Sequence, residues 1–300
     1  MHFSHDARRI RSWQAAACRP TLVAMPQTIH SAPVAFIGGG NMASALIGGL
    51  IQSGHAPGFI RVVEPLEAQA EKLRAQFGVA VDRVAGPTLA DAAVVVWAVK
   101  PQSFVEAALP CAQHVRNALQ LSVMAGIRTA AIAEATGSLR VVRAMPNTPA
   151  LIGRGMSGLF ASEAVSATER TWIEALLAPT GELLWLEREE QLDAVTALSG
   201  SGPAYVFYFV EAMMKAGTAM GLSADQARRL AVGTFAGSAA LAAQSSEPPE
   251  QLRQNVTSKG GTTHAAITTL DERGVMAAFV EALHAAARRA KELGDEFGAA

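Results

Sequence analysis

Hydrophobic positions change their spacing part-way along this 300-residue chain. From residue 33 to about 186, short continuous apolar runs alternate with stretches of helical spacing. The runs at 34–37, 59–63, 93–99, 119–123 and 139–144 have the length and continuity of strands buried on both faces of a parallel sheet. A shorter run at 79–81 makes another strand, and 156–160 and 183–186 extend the sheet at one edge. Between them the spacing predicts helices from Met42, over 66–77, 104–115 and 129–135, and at about 168–178. Strand–helix alternation of this kind means right-handed βαβ units in a doubly wound sheet. After about residue 189 no strand pattern recurs. The apolar positions predict a long helical stretch over 192–220, interrupted early near Ser199 to Pro203. Further helices follow to about 244, from Pro249 to 256, to 271, and over 275–297. The expected fold is therefore α/β: a Rossmann-like sheet domain over 33–188, then an all-α domain over 189–300.

The helical part carries more apolar surface than one small domain covers. The segment 204–210 is hydrophobic around most of its circumference, and such a helix is normally enclosed on all sides. A second copy of the chain is the expected cover, making a homodimer through the helical domain, with burial inside the one domain as the alternative.

The first strand runs into Gly38, Gly40 and Ala43, which fit G-x-G-x-x-G/A. Strand, glycine turn and helix in this order is the context a dinucleotide fingerprint requires. Gly38 permits the turn, Gly40 leaves space for a pyrophosphate, and Ala43 lets the helix pack close to the strand. Asn41 and Met42 open the helix, whose N-terminal N–H groups and dipole face the phosphates. The plain alternative is a tight turn that binds nothing.

Half of the residues are hydrophobic, 17% are charged and the net charge is −1. Three hundred residues suggest about two domains. Near-neutral charge gives no support for nucleic acid or an anionic membrane as partner, and no apolar run reaches the ~18 residues of a membrane span. Cys18 and Cys111 form no disulfide framework, and no metal-ligand spacing is present, so a cytoplasmic setting is expected. Residues 1–32 combine Arg8, Arg9 and Arg11 with Pro20 and Pro26. They read as a disordered extension, with Met25 as the working start and a targeting peptide as the alternative.

Ligands of such sheets bind beyond the carboxyl ends of the strands. Glu64 ends the second strand 26 residues after Gly38. Bonded to the adenosine ribose hydroxyls, it favours NADH; facing water, it decides nothing. Pro65 and Leu66 supply no cation for a 2′-phosphate, and Arg61 on the strand points elsewhere. Lys100 follows a buried strand and precedes Pro101; it either shapes the loop beside the cofactor or acts as a catalytic cation. In the helical part, Gly260 and Gly261 precede Thr262 and Thr263 at the start of a helix. These are either caps of that helix or an anion pocket of bare N–H groups and hydroxyls. His264 beside them is an acid–base group or a structural residue.

Five stretches together resemble pyrroline-5-carboxylate reductases, in order over about residues 33–297. They are Gly38-Gly39-Gly40-Asn41-Met42, Ala98-Val99-Lys100-Pro101, Met145-Pro146-Asn147-Thr148-Pro149, Ser199 to Tyr205, and Val256 to Thr263, the last being the most specific. The resemblance implies reduction of Δ1-pyrroline-5-carboxylate to L-proline with NADPH or NADH, by a Rossmann domain and a helical domain that interlocks two subunits. Some members form pentamers of dimers. By position, Gly38, Gly40, Asn41, Met42 and Ala43 would hold the pyrophosphate. Ala98, Val99, Lys100 and Pro101, with Met145 to Asn147, would line the nicotinamide. Asn255 and Val256 would touch the cofactor from the helical domain. Ser258, Gly260, Gly261, Thr262 and Thr263 would bind the substrate, with the Thr263 hydroxyl on the ring nitrogen as the catalytic contact. Two positions depart from the family pattern: Lys259 stands where proline is usual, and Glu64 where NADPH-using members have polar or basic residues.

Two rivals are weighed against this. The nearer rival is a β-hydroxyacid dehydrogenase; those enzymes resemble G-x-x-G-x-G-x-x-x-K at the start of the long helix, but Val206 stands at the lysine position, and another imine reductase is a further alternative. A non-catalytic dinucleotide-binding regulator needs no glycine–threonine pocket.

Overall fold

The computed structural model describes residues 31–298. The expectations for residues 1–30, Met25 and Cys18 among them, lie outside the described residues. One eight-stranded sheet carries the first part of the chain, in the order β3-β2-β1-β4-β5-β6-β7-β8. Its strands are β1 (Val34–Ile37), β2 (Ile60–Val63), β3 (Ala80–Asp82), β4 (Val94–Trp97), β5 (Leu119–Ser122), β6 (Val141–Met145), β7 (Gly155–Ala161) and β8 (Gly181–Trp185). Strands β1 to β6 are mutually parallel, as the runs predicted. The strand β7 then reverses against β6, and β8 follows β7 in parallel. The reversal has a simple cause. Only nine residues separate β6 from β7, whereas a parallel crossover takes a dozen or more.

The helices packed on this sheet are α1 (Asn41–Gln52), α2 (Glu67–Phe77), α3 (Phe104–Ala108), α4 (Ala112–Val115), α5 (Thr129–Thr136) and α6 (Ala167–Leu177). Alternate strand residues feed two separate cores, one per face. Val34, Phe36, Val94 and Val96 meet Leu46, Ile47 and Leu73 on one side. Ala35, Ile37, Val95 and Trp97 meet Phe104, Val115 and Ile132 on the other. The period of two thus divides each apolar run between two helical layers. The single helix expected over 104–115 is broken between α3 and α4, at Leu109 and Pro110, because proline removes a donor and clashes with the preceding turn. Gln120, in the middle of β5, is fully buried and fully used: it accepts from the Trp97 indole N–H and donates to the carbonyls of Val115 and Ala118. Burial pushes the Cys111 thiol up to about 11, so it stays protonated and inert.

Among the described residues every regular element beyond β8 is a helix: α7 (Gln191–Val195), α8 (Gly202–Ala219), α9 (Ala224–Gln244), α10 (Pro249–Asn255), α11 (Thr262–Glu272) and α12 (Val275–Gly298). The expected interruption near Ser199 is a turn of π-helix, Thr196–Gly200. Tyr205 and Phe209 of α8 both pack edge-on to Phe279 of α12. Outward-facing Phe207, Tyr208, Leu230, Leu241, Met276 and Val280 stay exposed in the single chain. The sheet layer and the helices are joined by a partly buried polar staple. Glu189 accepts from Arg143 of β6 and from the Thr129 N–H and hydroxyl, and Arg128 pairs with Asp193 at 2.9 Å.

Candidate active site

The glycine turn lies where β1 meets α1, at the carboxyl edge of the sheet. Gly38 has φ +95°, and a Cβ there would stand 2.7 Å from the Ala98 carbonyl oxygen. Its N–H donates to Val63, and Ala98 N–H donates to Ile37, so the turn is tied to both neighbouring strands. Gly40 is different: it is exposed, and a Cβ would meet nothing within 4 Å. The space above it is open, as a pyrophosphate requires. Gly40 is also the N-cap of α1, with no side chain bonded to the first turn. Asn41 is exposed, Met42 half-buried, and Ala43 packed at 0% exposure against the sheet. The residues present therefore fit a dinucleotide diphosphate.

Glu64 is not a solvent-facing residue. It is 7% exposed; one carboxylate oxygen accepts from Gly39 N–H at 2.9 Å and the other from Leu66 N–H at 2.9 Å. The Gly39 carbonyl in turn accepts from the Gln69 amide at 2.6 Å. Both polar atoms of the Gly39 peptide are thus held from the β2–α2 corner. A side chain at Gly39 would collide with Leu73 and Glu64. Nothing in the sequence signals Gln69, since its contact crosses 30 residues.

At the end of β4, Ala98 and Val99 are half-buried and Lys100 is exposed. Lys100 forms no ion pair among the described residues and begins a short turn that Pro101 opens. That position suits the loop-shaping reading. At the end of β6, Asn147 joins two parts of the molecule. Its amide donates to the Ser199 carbonyl and hydroxyl, both at 3.2 Å, and its oxygen accepts from Met156 N–H at 3.0 Å. A Cβ on Gly200 would stand 2.6 Å from the Met145 Cε, so the π-turn presses directly on the β6 loop.

The second stretch folds around Gly260, whose φ of +76° reverses the chain between α10 and α11. The N-cap of α11 is Gly261; Thr262 and Thr263 are its first two residues, and neither hydroxyl caps it. Of the two readings of these threonines, a hydroxyl cap on the helix is therefore not what the structure shows. Gly261 N–H is already committed to the Ser258 carbonyl at 3.0 Å. The earliest backbone bond of α11 runs from Ala265 to Gly261, which leaves the N–H groups of Thr262, Thr263 and His264 without helical partners. Ser258, Lys259, Gly260, Thr262 and His264 are exposed, and Gly261 and Thr263 half-buried. Asn255 is turned to its own surroundings, donating to Glu247 and accepting from Gln251. Among the described residues no hydrogen bond links 257–263 to the glycine turn. The two candidate stretches thus lie on different parts of the chain, one on the sheet edge and one on the helices.

The family model for pyrroline-5-carboxylate reductase dimerisation matches residues 189–293, and one for coenzyme F420-dependent NADP oxidoreductases matches residues 33–126. A pyrroline-5-carboxylate reductase of Pseudomonas aeruginosa is 43% identical over 267 residues, covering 88% of this chain and 98% of that protein. The chain belongs to the pyrroline-5-carboxylate reductase family. Solved reductase structures agree. The one from Coxiella burnetii has a TM-score of 0.81 at 37% identity, covering 88% of this chain and 98% of its own. The one from Plasmodium falciparum, solved with NADP bound, has a TM-score of 0.80 at 26% identity, covering 88% of this chain and 99% of its own. Membership covers both halves of the chain, the sheet with its glycine turn and the helices with the 256–263 loop. The reductase module matched at 189–293 is described by dimerisation, and it contains the exposed apolar faces of α8, α9 and α12. No helix among the described residues is long and apolar enough to cross a membrane.

Proposed function

We propose that the chain reduces the C5=N bond of Δ1-pyrroline-5-carboxylate to L-proline, taking the hydride from NADPH or NADH. One observation carries this reading. The chain is 43% identical to a reductase of that name over nearly the whole of both proteins. A reduced nicotinamide supplies the hydride when bound. The turn from Gly38 to Ala43 binds and orients the diphosphate. Ala98 to Pro101 and Asn147 shape the nicotinamide end, with Asn147 anchored on Ser199. The free N–H groups of Thr262 and Thr263, with the Ser258 hydroxyl, bind the substrate carboxylate. The Thr263 hydroxyl fixes the ring nitrogen.

The chemistry asks little of the protein in acid–base terms. A cyclic imine that arrives protonated is already electrophilic, so positioning it is the main task, and orientation alone supplies about 7–11 kcal/mol. That accounts for a site built from backbone amides and hydroxyls. Lys259 adds a cation near the carboxylate. A homodimer through the exposed faces of α8, α9 and α12 covers this apolar surface, and pentamers of such dimers are the larger assembly. The enzyme works in the cytoplasm.

The test is direct. Purified protein, shown folded by circular dichroism, consumes reduced dinucleotide when pyrroline-5-carboxylate is added and yields L-proline by chromatography. Absence of turnover with either dinucleotide overturns the reading.

A further inference from the structure

Strand β3 pairs in parallel with β2, and Glu64 N–H donates to the Asp82 carbonyl at 2.9 Å. The residue after β3, Arg83, therefore emerges beside the residues after β2. Its guanidinium donates to the Pro65 carbonyl at 3.1 Å and stands 3.5 Å from a Glu67 carboxylate oxygen. The Arg83 side chain is 61% exposed. Glu67 holds Arg74 more closely, at 2.8 Å through its other oxygen. If Arg83 swings to a ligand, Glu67 remains neutralised by Arg74. Glu64, the acid one expects to set the choice of dinucleotide, has both oxygens bonded to backbone N–H groups of the glycine turn and the α2 entrance. The most exposed charge of the Arg83–Glu67 pair at the β2–α2 corner, where an adenosine ribose lies in this fold, is thus a guanidinium fork, with the Glu67 carboxylate beside it 45% exposed.

We propose that Arg83 is the residue that recognises the ribose 2′-phosphate, so that the chain prefers NADPH, while Glu64 positions the glycine turn. This rests on the reading that the turn binds NADPH or NADH. A guanidinium suits a phosphate dianion because its planar donors meet two oxygens at once. The sequence conceals the residue: Arg83 is 19 positions beyond Glu64 and on another strand.

The test uses the full chain and two probes, adenosine 2′,5′-bisphosphate and 5′-AMP, titrated by calorimetry into the wild type, Arg83→Ala, Arg83→Lys and Glu64→Gln. Arg83→Ala is expected to weaken the bisphosphate about tenfold, the size of one charge-assisted contact, and 5′-AMP far less. Arg83→Lys recovers part of the loss, because it keeps the charge without the fork. The ratio of kcat/KM for NADPH over NADH falls with the bisphosphate affinity. Equal weakening of both probes, or none, overturns the proposal, as does a larger change of the ratio in Glu64→Gln than in Arg83→Ala. The two readings fail separately. Arg83-dependent bisphosphate binding without turnover rejects the reductase reaction; turnover with an unmoved ratio rejects the role of Arg83.

Discussion

A methyl group added at Gly38 and one added at Gly40 have opposite consequences. At Gly38 it would press on the Ala98 carbonyl from a left-handed backbone, which costs roughly 1–3 kcal/mol. Gly38→Ala is therefore expected to lower Tm by several degrees, read by thermal unfolding. At Gly40 nothing opposes it within the chain. Gly40→Ala is expected to lower Tm less than Gly38→Ala does and to lose dinucleotide affinity, read by calorimetry; a normal affinity would place the diphosphate elsewhere. Thr263 is argued the same way. Its hydroxyl caps nothing in α11, so Thr263→Ala is expected to leave Tm and dinucleotide affinity unchanged and to lower kcat/KM for pyrroline-5-carboxylate. A normal rate removes it from the chemistry.

Elements are held by polar contacts at their ends. Helix α6 opens with a reciprocal cap, in which Ser166 and Glu169 bond each other's backbone N–H, and Arg140 pairs with Glu169. Burial pushes the Glu169 carboxyl up, but the Ser166 N–H and hydroxyl and the Arg140 guanidinium together hold it below its ordinary value. A depressed carboxyl stabilises the fold above its unfolded pKa, and that contribution is lost as pH falls through the lower folded value. The wild type is therefore expected to lose more stability on acidification below about pH 4.3 than Glu169→Gln does, compared by urea midpoints. The staple between sheet and helices is more sensitive. Arg143 is 4% exposed and pairs with Glu189. Glu189→Ala leaves a buried cation unpaired, at a cost of about 3–5 kcal/mol. The expected outcome is a large fall in Tm, and an unchanged Tm would mean that water replaces Glu189.

As a whole, the molecule presents a sheet layer that is closed on both faces and a helical part that is not. Phe207 and Tyr208 of α8 are 61% and 70% exposed. Surface of this kind is unfavourable in water and is normally covered by a partner. Phe207→Glu is expected to shift the protein towards smaller species in light scattering and to depress activity in parallel; a wild-type mass would exclude α8 from the interface.

Local requirements were legible in the sequence. The strands appear because both faces are apolar, the turn because only glycine fits beside Ala98 at Gly38, and the glycine–threonine loop because Ser258 to Thr263 resembles a known family. Contacts between distant segments were not. Gln69 on Gly39, Asn147 on Ser199, Arg143 on Glu189 and Arg83 on Pro65 join positions 18 to 52 residues apart, and no periodicity encodes such pairs. The reversal of β7 and the break before α4 depended on loop length and one proline. Sequence alone determined that a dinucleotide turn and a glycine–threonine loop belong to one chain. Strand order alone decided which side chains stand at the β2–α2 corner, because pairing β3 on β2 brings a remote arginine beside a buried glutamate.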